Sequence, residues 1–126
     1  MNYNERLRKA LEPVGLQLFP DVYDANIQHH DENENLLPKL SEWMTFNYVT
    51  ESPALFADDE DELTRTVLDV HCYTPNKSKI FTYKKQIKNC LRSAGFLINS
   101  VDQQYEHDTG LTHITVTVSD EDFTEV

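Results

Sequence analysis

The sequence predicts a single α+β domain in which a mainly antiparallel sheet of two hairpins packs with two helices. Three observations carry this prediction: two segments with helical apolar spacing, two pairs of alternating strands, and breaker residues between these segments. A chain of 126 residues has the length of one domain. Its 39% hydrophobic and 10% aromatic residues suffice for one buried core, so we expect the domain to occupy residues 1–126.

The first predicted element is a helix over residues 2–12, with Asn4 as its N-cap and with Pro13 and Gly15 at its end. Its apolar side chains recur every three or four positions, at Leu7, Ala10, Leu11 and Val14. This spacing predicts that one side of the helix packs in the core. Residues 16–20 alternate briefly and can form a short strand.

A long antiparallel hairpin is predicted next, with strands over residues 43–50 and 63–74. The side chains expected to share faces toward the core are Met44, Phe46, Tyr48, Leu68, Val70 and Cys72. Residues 51–62 form the acidic loop at the hairpin tip, because a run of like charges cannot pack inside a protein. That run consists of Asp58, Asp59, Glu60, Asp61 and Glu62.

The most regular helical pattern covers residues 78–94, with Ser78 as the expected N-cap. Its apolar stripe consists of Ile80, Tyr83, Ile87, Leu91 and Ala94. Gly95 follows this stripe at the position where a left-handed residue commonly ends a helix. The pattern predicts an amphipathic helix that covers one face of the sheet.

The second predicted hairpin joins strands over residues 96–105 and 111–119 through a turn that ends at Gly110. The returning strand carries an apolar face of Ile114, Val116 and Val118. The acidic residues 120–126 that follow are expected to be frayed.

The net charge of -11 is unevenly distributed. Residues 77–92 contain six basic and no acidic side chains, whereas the remaining residues contain five basic and 22 acidic side chains, a net charge of -17. A basic helix on an acidic domain allows three interpretations. It can be a solvated helix face, a surface that binds the acidic loop of another subunit, or a weak contact to nucleic acid that the flanking acids oppose.

The second interpretation predicts a subunit interface between different surfaces of neighbouring copies, which closes into a ring. Its acidic half is the loop Asp58, Asp59, Glu60, Asp61 and Glu62. Its basic half consists of Lys79, Lys84, Lys85, Lys88 and Arg92.

The sequence contains none of the common motifs for catalysis. The chain has three dispersed glycines and thus no glycine-rich phosphate loop, and it has no nucleophile-elbow or zinc-protease motif. His29 and His30 beside Asp31 leave a small metal-dependent enzyme as an open alternative, although adjacent histidines in a polar loop rarely form a rigid metal site. His107 and His113 flank a turn and are expected at the surface. We therefore predict no enzyme activity, no metal and no cofactor.

The cysteines and the hydropathy pattern indicate whether the protein is secreted or inserted in a membrane. Cys72 and Cys90 lack the spacing of metal ligands and are expected to be buried, reduced thiols. No stretch approaches the apolar length of a membrane-spanning helix, and the N-terminal residues do not resemble a signal peptide. We expect a protein that is neither secreted by that route nor inserted in a membrane.

The whole pattern resembles the small tail-completion proteins of long-tailed bacteriophages and prophages, also called tail-to-head joining or tail-terminator proteins. The resemblance covers most of the chain and has no catalytic motif. It is carried by the helix that ends in Pro13-Val14-Gly15, the strands 45–49 and 67–73 around the acidic stretch, the helix that ends in Leu91-Arg92-Ser93-Ala94-Gly95-Phe96, and the C-terminal hairpin.

The resemblance implies a structural role in the virion. Proteins of this kind form a ring, usually hexameric, that ends the tail tube and joins it to the head connector, and DNA passes through the ring. The implied partners are further copies of the chain, the tail tube protein and the connector or stopper protein. The implied location is the host cytoplasm during assembly and then the neck of the virion. An acidic channel would let DNA slide without binding, because it repels phosphate.

Two further alternatives stay open. A head-completion adaptor on the connector side of the neck would have the same size and charge. An acidic inhibitor that mimics DNA belongs to a different class, and the basic helix speaks against it because a mimic needs one continuous negative face.

Overall fold

The computed structural model describes residues 2–24, 29–30, 33–53 and 62–124. Two short 3-10 turns, Glu12–Val14 and Lys77–Lys79, flank the helices. The helices and strands are α1 (Tyr3–Leu11), β1 (Leu18–Pro20), β2 (Trp43–Pro53), β3 (Glu62–Thr74), α2 (Ile80–Ser93), β4 (Leu97–Glu106) and β5 (Leu111–Thr124). The predicted α+β class is confirmed.

The five strands form one sheet in the order β1-β2-β3-β5-β4. The pairs β2–β3, β3–β5 and β4–β5 are antiparallel, whereas β1 lies parallel to β2, so the sheet is mixed. The central register aligns Phe46 with Val70 and Val70 with Val116. The short strand that the sequence allows at 16–20 is therefore the edge of this sheet.

Both helices contribute to a core on one face of the sheet. Leu7 and Leu11 of α1 and Ile87 and Leu91 of α2 are buried. The sheet contributes the buried side chains Met44, Phe46, Leu68, Val70, Cys72, Ile114, Val116 and Val118. Tyr48 differs from the expectation, since its side chain is 55% exposed. It still pairs with Leu68 and contacts Tyr3 of α1 edge-on, with ring centroids 6.0 Å apart, so it lies on the helix side of the sheet but at the border of the core. The β2–β3 register becomes irregular only beyond it, between Tyr48 and Thr50.

The helix caps differ from the predicted ones by two residues. The Asn2 side chain, and not Asn4, accepts a hydrogen bond from the backbone N–H of Glu5 at 2.8 Å. The Asn76 side chain accepts from the backbone N–H of Ser78 at 3.1 Å, so Ser78 is inside the first turn and not its cap. A 3-10 turn follows Asn76, and α2 therefore begins at Ile80. Asparagine suits both caps because its short side chain reaches a free backbone N–H.

Gly95 ends α2 as predicted. Its φ of 95° is in the left-handed region, and its N–H donates to the carbonyl of Arg92 at 3.0 Å. The N–H of Phe96 donates to the carbonyl of Leu91 at 3.0 Å, which completes the expected termination pattern. The chain thus turns sharply from α2 into β4.

The first hairpin and the C-terminal strand are longer than predicted. β2 continues to Pro53, β3 begins at Glu62, and β5 continues to Thr124, which pairs with Glu62. The expected frayed end at 120–126 is replaced by strand up to residue 124. Residues 125–126 and the greater part of the predicted acidic loop, residues 54–61, lie outside the described residues.

An ion pair explains why β5 continues beyond the predicted end. Asp120 is 6% exposed, and its carboxylate accepts from Arg6 Nη1 and from the Tyr3 hydroxyl, both at 2.6 Å. Arg6 also donates to the carbonyl of Ala94 at 3.0 Å and lies over the ring of Phe96, 4.3 Å from its centroid. Burial alone would raise the pKa of Asp120, but these donors and the Arg6 charge outweigh it and lower the pKa.

We expect Asp120→Asn to lower the free energy of unfolding by about 1–3 kcal/mol, because it leaves the partly buried Arg6 without its carboxylate. The lowered pKa places this stabilisation at neutral pH and removes it as the pH falls through that pKa. Urea unfolding of both proteins at neutral pH measures the difference. Asp102→Asn, on the exposed side of β4, is the matched control. Equal stability of all three proteins would contradict the assignment.

Candidate subunit interface

The basic side chains that the sequence assigns to an interface are mostly together on α2. Successive residues of a helix are rotated by about 100°, so positions separated by three and four residues share one side. Lys85, Lys88 and Arg92 follow this spacing on the outward side of α2, away from the buried Tyr83, Ile87 and Leu91. Lys84 lies at the border between that side and the buried stripe. Lys85 and Arg92 are exposed, and Lys84 and Lys88 are partly exposed. No acidic residue interrupts this side of α2.

Lys79 differs from the other predicted interface residues because it has an acidic partner in its own chain. Its Nζ lies 3.4 Å from Glu42 Oε1, just before β2. Glu42 also accepts hydrogen bonds from the hydroxyls of Thr74 and Tyr83, the latter at 2.8 Å. These contacts fasten the N-terminal end of α2 to the sheet, so Lys79 supports the helix.

The pKa shifts of Glu42 and Tyr83 agree with these hydrogen bonds. Burial alone would raise the pKa of Glu42, but the hydrogen bonds from Thr74 and Tyr83 and the charge of Lys79 lower it. Burial and the Glu42 carboxylate raise the pKa of Tyr83 above its ordinary value. Glu42 is therefore a carboxylate and Tyr83 a neutral donor at physiological pH.

Sequence reasoning overlooked Phe81, which lies on the same side of α2 as the basic residues. Its side chain is 75% exposed, the largest exposure among the large apolar residues of the described segments. Phe81 precedes Lys85 by one helical turn and Lys88 by two. The available signal is its position outside the apolar stripe of α2, since a large aromatic residue off the core side of a helix indicates a second contact surface. We call Phe81, Lys84, Lys85, Lys88 and Arg92 the outer strip of α2.

A groove lies between α1 and α2. It has a volume of about 480 Å³. Ala10 and Pro13 of the α1 region and Cys90 and Ala94 of the α2 region supply apolar lining, and Asn89 lies at its side. Burial raises the pKa of both free thiols, Cys72 and Cys90, and the nearby Glu42 raises the pKa of Cys72 further, to about 12.

The acidic half of the predicted interface cannot be placed next to this strip. Asp58, Asp59, Glu60 and Asp61 lie outside the described residues, and Glu62 is the first residue of β3. The structure therefore positions the basic half of the predicted contact, and the pairing of the two halves stays a prediction.

The other face of the sheet carries a histidine pair that the sequence does not reveal. His71 Nδ1 lies 2.7 Å from His113 Nε2, and His71 Nε2 lies 2.6 Å from Asn47 Oδ1. The Thr115 hydroxyl lies within 3.3 Å of both rings, and Tyr73 stacks on His113 with centroids 4.4 Å apart. His113 is thus 19% exposed and hydrogen-bonded, contrary to its expected position on the surface.

With both rings neutral, the hydrogen-bond partners indicate which ring nitrogens carry the protons. Asn47 Oδ1 can only accept, so His71 Nε2 carries a proton and the neutral His71 Nδ1 accepts from His113 Nε2. His113 Nδ1 then has no proton and faces Glu106 Oε2 at 3.9 Å. Burial lowers the pKa of both histidines and outweighs the opposing charges of Asp69 on both and of Glu106 on His113, and His113 lowers the pKa of His71 further. The pair is therefore neutral at pH 7.

The two histidines considered as metal ligands are in different surroundings. His29 packs against the rings of Phe19 and Tyr23, and its Nε2 lies 2.5 Å from the carbonyl of Asp24. His30 forms an isolated bridge with Leu36, and Asp31 lies outside the described residues. Within the described residues, no three His, Cys, Asp or Glu side chains form a group that could hold a metal ion.

In the same residues, neither helix has the length and apolarity to cross a membrane.

The fold is similar to that of a chain in the virion of a native gene transfer agent (GTA) particle. The match covers 96% of this chain and 91% of that chain, with a TM-score of 0.59 and 11% sequence identity. Comparison with protein-family models and with curated proteins finds no match. At this level of identity the likeness concerns the fold.

We expect the free energy of unfolding to decrease as the pH falls below about 6.5, because the unfolded chain takes up protons that the half-buried histidine pair, with its lowered pKa values, resists. His113→Gln should weaken this dependence between pH 7 and pH 5.5. Urea unfolding across that range measures it, with the exposed His107→Gln as the control. A dependence that His113→Gln leaves unchanged would show that the pair does not titrate as assigned.

Proposed function

We propose that this chain is a non-enzymatic structural protein of a virion, which caps a tail tube and joins it to the head connector as a ring around the DNA. The observation that carries the proposal is the fold match to a virion chain of a GTA particle over 96% of this chain. It agrees with the resemblance to tail-completion proteins that the sequence suggests on other grounds.

The charge distribution supports a ring. A ring of identical subunits needs two different surfaces, since each copy contacts one neighbour with one surface and the other neighbour with the second. The outer strip of α2 supplies one surface, and the acidic stretch Asp58–Glu62 supplies a complementary one. Contact between them, with Lys79 holding the start of α2 in place, would join neighbouring copies.

The net charge of -11 suits a channel for DNA. With the outer strip covered by a neighbour, the remaining surface is strongly acidic. An acidic wall repels the phosphate backbone, so DNA passes without being held. The same distribution is unsuited to a DNA mimic, in which a basic helix would interrupt the negative face.

The proposed partners follow from the position in the virion. One side of the ring would contact the tail tube protein, and the other side would contact the connector or stopper protein of the head. Assembly would take place in the host cytoplasm. We propose no membrane contact, no cofactor and no catalytic step.

We expect deletion of the gene to give overlong or headless tails, because nothing then ends the tube or joins it to the filled head. Electron microscopy of particles from the deleted and the complemented genome measures this. Supplying the chain in trans should restore complete particles. Normal particles without the chain would refute the proposal, and complete tails beside unfinished heads would assign it to the head side of the neck.

A further inference from the structure

The side chains of the outer strip change in character along α2, which those of an ordinary solvated helix face do not. Phe81 lies in the first turn, and the basic residues Lys84, Lys85, Lys88 and Arg92 follow it toward the C-terminus. The rise of 1.5 Å per residue places Phe81 and Arg92 about 16 Å apart. The strip is therefore apolar at its beginning and positively charged over the rest of its length.

Phe81 has the properties of an anchor residue. It is 75% exposed in this chain, although burying an aromatic side chain in a contact is favourable. Aromatic residues surrounded by polar ones commonly dominate the binding energy of protein interfaces. The lysines beside Phe81 add attraction for an acidic partner and keep the surface soluble.

Residues 55–62 of the chain also begin with apolar side chains and continue with charged ones, but their charges are negative. The apolar residues Leu55, Phe56 and Ala57 directly precede Asp58–Glu62. Eight residues in an extended conformation span about 23 Å, which is enough to follow the outer strip from Phe81 to Arg92. The five acids oppose the four basic side chains of the strip.

This segment cannot reach Phe81 of its own chain. Pro53 pairs with Thr64, ten residues before Thr74 along β3, so the two ends of this stretch are about 33 Å apart. The start of α2 is fastened at the Thr74 end, where Thr74 and Tyr83 both bind Glu42. Leu55 can extend only about 7 Å beyond Pro53. A contact between this segment and Phe81 therefore requires a second copy.

We infer that the outer strip of α2 binds residues 55–62 of a second copy, with Leu55 and Phe56 against Phe81 and the acids along Lys84, Lys85, Lys88 and Arg92. The bound segment runs in the same direction as the helix. The inference rests on the proposed ring, which brings the second copy into place. It adds an apolar anchor and a direction to a contact that charge alone leaves unspecified.

Photo-crosslinking in assembled particles tests the contact. Phe81 is replaced by p-benzoylphenylalanine in the full chain, and particles are irradiated and analysed by mass spectrometry. We expect a crosslinked dimer that joins residue 81 to residues 54–58 of another copy. The same probe at Val22, which is 72% exposed, is the matched control. A crosslink to a different protein, to the same copy, or no more dimer than the Val22 probe gives would overturn the inference.

Charge exchange between two copies tests the acidic part. Lys84→Glu, Lys85→Glu and Lys88→Glu together in one variant, and Asp58→Lys, Asp59→Lys and Glu60→Lys in another, should each lower the yield of complete particles at least tenfold, most strongly at low salt. Co-expression should restore the yield, because each copy then meets a complementary neighbour. Absence of rescue would overturn the inference.

The two proposals fail separately in these experiments. If the deleted genome gives headless tails but the residue 81 probe and the charge variants behave like the unmodified chain, the inference fails and the proposed function stands. If the deleted genome gives normal particles, the proposed function fails first.

Discussion

The partly buried ion pair between Arg6 and Asp120 is the interaction that links both helices to the end of the sheet. It connects α1 to β5, and the same guanidinium reaches the carbonyl of Ala94 at the end of α2. A single side chain thereby positions both helices on one face of the sheet. Glu42 has the same role at the other end of α2, where it binds Thr74, Tyr83 and Lys79. Because both ends of α2 are bound in this way, the same side of the helix always faces outward.

Features that depend on neighbouring residues were predictable from the sequence. The alternation at Leu68, Val70 and Cys72 identifies the core face of β3, and Gly95 identifies the end of α2, because both signals are local. The parallel pairing of β1, the Arg6–Asp120 ion pair and the contact of His71 with His113 were not predictable. Each joins side chains or strands far apart in the chain, and no spacing rule reports such contacts.

The residues of the candidate interface were likewise only partly predictable from the sequence. The concentration of six basic residues between 77 and 92 is visible in the sequence, but the sequence does not distinguish Lys79, which has its partner in the chain, from the residues of the outer strip. The position of Phe81 outside the apolar stripe is visible in the sequence, and its exposure in the structure makes it a candidate contact residue. The charge of -11 thus separates into a basic strip with an aromatic end and an acidic remainder. The proposed ring subunit would use the basic strip to bind a neighbouring copy and the acidic remainder to let DNA pass.

A cryo-electron microscopy reconstruction of the complete particle tests the central claim most directly, because it shows where the chain lies and what covers α2. The account predicts a closed ring of this fold between the tail tube and the head connector, with DNA inside it and a neighbouring copy against Phe81. Absence of the chain from the particle, or its position at the distal tip of the tail, would contradict the account.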